Sequence, residues 1–158
     1  MQVRVLELLS CALIVSVLAL PGASVSALGL QDAQTADDGK EWTILVYWDS
    51  DNDLEPCAEF AMETGKPALT CDDEVNLVVF MDLFSVTGTW IYDIHDGEAH
   101  TVETWDELNC SDPAVLERFL DYGLGNYPAE KTMLVIQDHG YAWRGLCRDE
   151  TDGNRIML

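Results

Sequence analysis

The sequence has little positive charge. Its 158 residues include 8 lysines and arginines against 29 aspartates and glutamates, which gives a formal net charge of −21. Nucleic acids and anionic membranes attract positively charged surfaces, so this balance argues against both as partners. The acidic residues are spread along the chain rather than collected in a tail, which favours a solvated surface. An acidic field that attracts cationic substrates is the alternative.

The sequence also lacks a membrane-spanning stretch of full length at its start. The apolar run over residues 8–20 is shorter than the ~20 residues that a spanning helix needs. Arg4 precedes this run, and small residues follow it, with Val25-Ser26-Ala27 resembling a cleavage site. This pattern predicts a secretory signal peptide over residues 1–27, with an uncleaved anchor as the alternative. The protein is therefore expected to be secreted, periplasmic or held at the cell surface, without a stable membrane partner.

A short leader and one domain are predicted for the remainder. Residues 28–41 are small and polar, which is typical of a flexible segment. The folded domain is expected to span residues 42–158, a length that can bury a hydrophobic core. No internal repeat is visible.

Cysteine is scarce, with five in the whole chain. Cys11 lies in the predicted signal peptide, so the mature chain keeps Cys57, Cys71, Cys110 and Cys147. An even number in an exported protein predicts two disulfides. Three pairings are open, and a local Cys57–Cys71 bridge is weakly favoured.

The hydrophobic pattern predicts an α/β domain. Three continuous apolar stretches are typical of strands buried on both faces, as in a parallel sheet. Helices are predicted after Leu54 and after the Asp112-Pro113 capping pair, the second closing at Gly123. An alternating segment around Asp96-Gly97 predicts a β-hairpin. The predicted buried strands cover residues 42–48, 75–82 and 131–137.

The third strand ends in Asp138-His139-Gly140, which makes His139 the main catalytic candidate. Open α/β sheets build their active sites at the carboxyl ends of strands. An imidazole there can take and return a proton near neutral pH, and Gly140 allows close approach of a backbone or substrate. An ordinary strand-end histidine is the alternative.

Two other acidic or histidine patterns point away from metal sites. Residues Asp49, Asp51, Asp53 and Glu55 alternate as in a calcium loop, but the glycine and bidentate acid of an EF-hand are missing. Capping of the following helix by Asp51 or Asp53 is favoured. His95 and His100 flank the hairpin turn and are expected to form a surface pair. No metal ligand is assigned.

The chain resembles the clostripain-like cysteine peptidases. The matching motifs occur in the same order as in that family and cover residues 41–154. The strand that ends in Asp138-His139-Gly140 is similar to the strand that leads to the catalytic histidine of the family. The other matching stretches are 42–47, Asp51-Asn52-Asp53-Leu54-Glu55, 75–82, 122–129, Trp143, Gly145 and Asp149-Glu150.

This resemblance implies a caspase-hemoglobinase-like sandwich with a mainly parallel sheet, a β-hairpin insertion and helices on both faces. It also implies a Cys-His dyad that hydrolyses protein or peptide substrates, usually after basic residues. His139 matches the histidine, and Gly140 is a candidate oxyanion-hole donor. The cysteine of the family follows the next strand, so the chain is expected to be an incomplete, N-terminal and by itself inactive portion.

Three further expectations accompany the resemblance. Cys147 lies eight residues after His139, but a disulfide or structural thiol is favoured over a nucleophile, because the family places the nucleophile on another strand. No cofactor is assigned, although the resemblance leaves calcium open; the oligomeric state is also open. The alternative function is a non-catalytic secreted binding or surface module with the same fold.

Overall fold

The computed structural model describes the domain and a short segment before it. Residues 1–15 and 19–38 lie outside the described residues, so most of the predicted signal peptide and leader is not tested, and Cys71 lies outside them as well. Among the described helices, none is both long and apolar enough to cross a membrane. The described residues are 16–18, 39–65, 73–153 and 155–157.

A six-stranded mixed sheet forms the centre of the domain, with the order β1-β6-β2-β3-β4-β5. β2 pairs in parallel with both β3 and β6, whereas the other neighbours pair antiparallel. The hairpin β4–β5 joins this sheet beside β3, so the sheet is mixed where the sequence predicts a mainly parallel one. The strands are β1 Ser16–Leu18, β2 Trp42–Ser50, β3 Val75–Leu83, β4 Val86–His95, β5 Glu98–Trp105 and β6 Lys131–Gln137.

Two helices, a single 3-10 turn and a small second sheet complete the described structure. β7 and β8 pair antiparallel in that second sheet. The elements are α1 Glu55–Gly65, α2 Pro113–Asn126, the 3-10 turn Ala142–Arg144, β7 Leu146–Asp149 and β8 Arg155–Met157.

The two faces of the sheet carry separate apolar clusters. Successive side chains of a strand point to opposite faces, and β2 follows this rule: Tyr47 is fully buried against Phe80 and Phe119 of α2. Trp48 belongs to the other cluster, which contains Ala58 of α1. The prediction of helices on both faces of an α/β sheet therefore agrees with the structure.

Helix α2 begins as predicted but does not end at Gly123. Asp112 is the N-cap, and its carboxylate accepts a hydrogen bond from Ala114 N at 2.9 Å. The helix continues to Asn126, and Gly123 lies buried inside it. A Cβ at Gly123 would lie 2.5 Å from Leu45 Cδ2 of β2. This glycine is therefore a contact point between helix and sheet rather than a terminator.

Strand register brings several acidic residues to one edge of the sheet. Asp49 of β2 is paired with Asp82 of β3, and Trp48 is paired with Gln137 of β6. Because the three strands are parallel, the residues that follow them, including Asp138 and His139, meet at the same carboxyl edge.

Candidate active site

His139 lies at this carboxyl edge beside the segment that follows β2. Its Nε2 is 2.9 Å from Asp53 Oδ1, and the side chains are 32% and 75% exposed. The hydrogen bond from His139 lowers the pKa of Asp53. An ionised carboxylate can only accept, so Nε2 carries the hydrogen and Nδ1 is the basic nitrogen of the neutral ring.

Asn52 ties together the segments on which Asp53 and His139 stand. Its Nδ2 donates to Asp138 Oδ1 at 2.8 Å and to the Arg148 carbonyl at 2.9 Å, and its Oδ1 accepts from Leu54 N. Asp138 also accepts a short hydrogen bond from Arg148 N. Sequence reasoning quoted Asn52 only as part of a motif and gave it no role. The Asp-Asn-Asp run directly after a buried strand is the signal that could have identified it.

The interpretation that Asp51 or Asp53 caps α1 needs correction. The side-chain bond at the start of α1 comes from Asn52, because Asp51 is engaged by Thr151 and Asp53 by His139. Glu55 instead accepts a hydrogen bond from Ser85 N at 3.0 Å. The alternating acids therefore diverge to different partners and do not form one loop site.

Gly140 and the loop after it face open space. A Cβ built at Gly140 would meet no atom within 4 Å, so packing does not require the glycine. The chain turns back through a bond from Tyr141 N to the Gly145 carbonyl and presents Trp143, which is 88% exposed. Gly140 and Trp143 are therefore both exposed in the loop that follows β6.

Four aspartates at the same edge are fully buried, which contradicts a wholly solvated role for the acidic residues. Burial, followed by the charges of Asp138, Asp82 and Asp149, raises the pKa of Asp49 well above its usual range. Burial and neighbouring acids raise the pKa of Asp82 to about 8. The pKa of Asp149 is raised to about 6, mainly by burial. The buried aspartates are Asp49, Asp51, Asp82 and Asp149.

The prediction of two disulfides is wrong for this structure. Cys110 and Cys147 are both free and fully buried thiols, whereas a Cys57–Cys71 bridge is not tested because Cys71 lies outside the described residues. Cys110 Sγ donates to Asp82 Oδ2 at 2.9 Å, which gives this thiol a partner in the core. Burial, followed by the charges of Asp49 and Asp138, raises the pKa of Cys147. A buried, protonated thiol is a poor nucleophile, so Cys147 fits a structural role.

The two hairpin histidines meet as predicted. The His95 and His100 rings stack with centroids 4.0 Å apart, and His95 Nδ1 lies 3.4 Å from Asp93 Oδ1. Among the described residues, the groups of three potential metal ligands do not include either histidine.

Comparisons with known proteins place this geometry in context. The model of the clostripain family of peptidases matches residues 46–158. Clostripain of Hathewaya histolytica is 27% identical over 121 residues, which cover 62% of this chain and 23% of the relative. The chain therefore spans about a quarter of that relative's length.

Solved structures with the same fold are cysteine proteases. A B. fragilis cysteine protease is 26% identical with a TM-score of 0.56, and the match covers 65% of this chain and 92% of that chain. A secreted C11 cysteine protease of Bacteroides thetaiotaomicron, solved with an irreversible peptide inhibitor, is 24% identical with a TM-score of 0.64. That match covers 75% of this chain and 36% of the protease chain. These likenesses confirm the expected caspase-like fold.

Proposed function

Because the chain belongs to the clostripain family, we propose that it is part of an exported cysteine endopeptidase in which His139 is the general acid and base. The observation that carries this proposal is the position of His139 at the carboxyl edge, hydrogen-bonded to Asp53 at 2.9 Å and open to solvent on one side. A histidine held by a carboxylate is the usual base of a nucleophilic enzyme.

The reaction follows from the chemistry of a thiol and an imidazole. His139 Nδ1 takes the proton of a cysteine thiol, and the thiolate attacks the carbonyl carbon of the scissile peptide. The carbon–nitrogen bond breaks as His139 returns the proton to the leaving amine. Water, deprotonated by the same imidazole, then hydrolyses the thioester and regenerates the thiol. Asp53 is a positioning residue that fixes the ring and stabilises the imidazolium.

The nucleophile of this proposal is a cysteine in sequence that follows Leu158 in the full-length protein. Of the cysteines that the structure describes, Cys110 and Cys147 are buried and Cys57 lies in α1, whereas the family places its cysteine after a strand. The 158-residue chain alone is therefore proposed to be inactive, since an imidazole without a nucleophile cannot form an acyl-enzyme.

The same proposal assigns the surrounding loop to substrate binding. Open space in front of Gly140 supports its N–H as a donor to the developing oxyanion, and exposed Trp143 supports a contact with an extended peptide. Cleavage after arginine or lysine is the expected preference, and the exposed carboxylate of Asp53 adds negative charge to the site. The substrate class is a protein or peptide.

The test is hydrolysis of a fluorogenic arginyl peptide amide by the gene product that continues past residue 158. His139→Ala should lower kcat/KM by at least about 100-fold, because it removes the acid and base. His100→Ala on exposed β5 is the matched control and should leave the rate unchanged. A wild-type protein that hydrolyses neither arginyl, lysyl nor neutral peptides would instead favour a non-catalytic module with this fold.

A further inference from the structure

A buried amide joins three segments of the chain at the carboxyl edge of the sheet. Asn52 is 3% exposed and lies between β2 and α1. Its Nδ2 donates to Asp138 Oδ1 at 2.8 Å and to the Arg148 carbonyl at 2.9 Å. Its Oδ1 accepts from Leu54 N at 2.9 Å. The position therefore uses two donors and one acceptor of a single short side chain, which an amide supplies and an ionised carboxylate does not.

The two donors of Asn52 hold both ends of the loop that carries His139. This loop, residues 139–147, runs from Asp138 at the end of β6 to Arg148 in β7. Arg148 N donates to the other carboxylate oxygen of Asp138, so Asn52, Asp138 and Arg148 are bonded to one another at the base of the loop. A loop with both ends fixed has fewer accessible conformations than a loop that is held at one end.

The segment of Asn52 also supplies the carboxylate that contacts the imidazole. Asp53 follows Asn52 directly, and its Oδ1 is 2.9 Å from His139 Nε2. The Asp53 side chain is 75% exposed, however, and an exposed ion pair is weak because solvent and side-chain motion compete with it. The buried bonds of Asn52 are therefore better placed than the Asp53 contact to set the distance between the two segments.

We propose that Asn52 is a positioning residue of the candidate active site: by bonding Asp138 and Arg148 it fixes the loop of residues 139–147 and sets the place of the His139 imidazole. Asn52 contacts neither the substrate nor the reacting atoms in this assignment. It has this role in catalysis only if His139 is the base of the peptidase, so the inference rests on the proposed function. The anchoring of the loop can be measured without a substrate.

Asn52→Asp tests the assignment with almost no change in side-chain shape. The variant keeps an oxygen for Leu54 N but places an acceptor against Asp138 Oδ1 and the Arg148 carbonyl, so both bonds to the loop are lost when the carboxyls are ionised. Misplacement of a catalytic group by about 1 Å can cost about 100-fold in rate. For a fluorogenic arginyl peptide amide and the full-length protein at mildly alkaline pH, kcat should fall at least about tenfold with little change in KM.

Acid should restore the activity of this variant. Two carboxyl groups in hydrogen-bond contact do not both ionise readily and share one proton, and that proton would bridge the new carboxyl to Asp138. Burial raises the pKa of Asp138, which favours this uptake. The ratio of variant to wild-type kcat should therefore rise as the pH is lowered from mildly alkaline to mildly acidic. A purely structural role would not change this ratio among folded molecules.

Asn76→Asp is the matched control. Asn76 is also a buried amide, 6% exposed, but it lies at the amino end of β3, where its Nδ2 donates to Thr43 Oγ1 at 3.1 Å. This control should lose stability and keep the kcat of the wild type at every pH.

Hydrogen–deuterium exchange with mass spectrometry adds a measurement that needs no peptidase activity. The peptide that covers residues 139–148 should exchange faster in Asn52→Asp than in the wild type or in Asn76→Asp. Circular dichroism checks that each variant is folded. If Asn52→Asp does not fold, Asn52→Ser replaces it, because its hydroxyl can still accept from Leu54 N. Asn52→Ser should show the same loss of kcat and the same faster exchange, without recovery in acid.

A wild-type kcat in Asn52→Asp would overturn the inference, and so would an equal loss of kcat in Asn76→Asp or a loss in Asn52→Asp that does not depend on pH. A wild-type protein without peptidase activity would instead refute the proposed function. In that case faster exchange of residues 139–148 in Asn52→Asp would still support the anchoring of the loop, and unchanged exchange would overturn it.

Discussion

From the contact between α2 and the sheet, we expect glycine-to-alanine substitutions at two positions of this helix to change the free energy of unfolding in opposite directions. In Gly123→Ala the new Cβ would lie 2.5 Å from Cδ2 and 2.9 Å from Cδ1 of Leu45. Ordinary carbon contacts are about 3.5–4.0 Å, so the helix must move by about 1 Å or Leu45 must change rotamer. Leu45 is fully buried, and overpacking of such a site costs about 1–3 kcal/mol.

The gain in helix propensity offsets only part of this cost. Replacing glycine by alanine within a helix stabilises it by about 1 kcal/mol, so Gly123→Ala should lower the free energy of unfolding by up to about 2 kcal/mol. Gly125→Ala is the matched control, because a Cβ there meets no atom within 4 Å. This control should be more stable than the wild type by up to about 1 kcal/mol.

Urea unfolding followed by circular dichroism measures both values. The two variants should have the slope of the wild type and midpoints displaced in opposite directions. In thermal unfolding, each kcal/mol corresponds to a shift of about 4 °C for a domain of this size. If Gly123→Ala proved as stable as Gly125→Ala, the close packing of α2 on β2 would be refuted.

Three further predictions concern the cap, the thiols and the positioning carboxylate. Asp112→Ala removes the N-cap of α2 and should lower the free energy of unfolding by about 1 kcal/mol in the same urea assay. Cys110 and Cys147 are buried, so Ellman's reagent should modify them at least about 100-fold more slowly in native than in urea-unfolded protein; rapid native reaction would contradict their burial. Asp53→Ala in the full-length protein should reduce kcat about tenfold with little change in KM, since it orients the base rather than binding substrate; an unchanged kcat would remove Asp53 from the mechanism.

The elements that the sequence predicted best are those in which local chemistry and burial agree. The apolar residues of β2 and β3 and the Asp112-Pro113 start of α2 are examples. Gly123 was misassigned because glycine marks both helix ends and close contacts. Only the position of Leu45 in space distinguishes the two, and the sequence does not contain that information directly.

The candidate site was predictable only in part. His139 could be identified because it comes two residues after a continuous apolar strand, but its partner Asp53 is 86 residues earlier and depends on the pairing of β2 with β6. The acidic residues were assigned to solvent because most acids are exposed. Asp49 and Asp82 are exceptions, since strand register pairs them in the interior, where their charges act on one another.

Active-site labelling with mass spectrometry tests the central claim most directly. The full-length protein is treated with an arginyl chloromethyl ketone, and the modified residue and the rate of modification are determined. We expect covalent labelling of a single cysteine other than Cys110 and Cys147, slowed at least about 100-fold in His139→Ala because the imidazole no longer accepts the thiol proton. Labelling of Cys147, or an equal rate in wild type and His139→Ala, would contradict the assignment of His139 as the base of a cysteine peptidase.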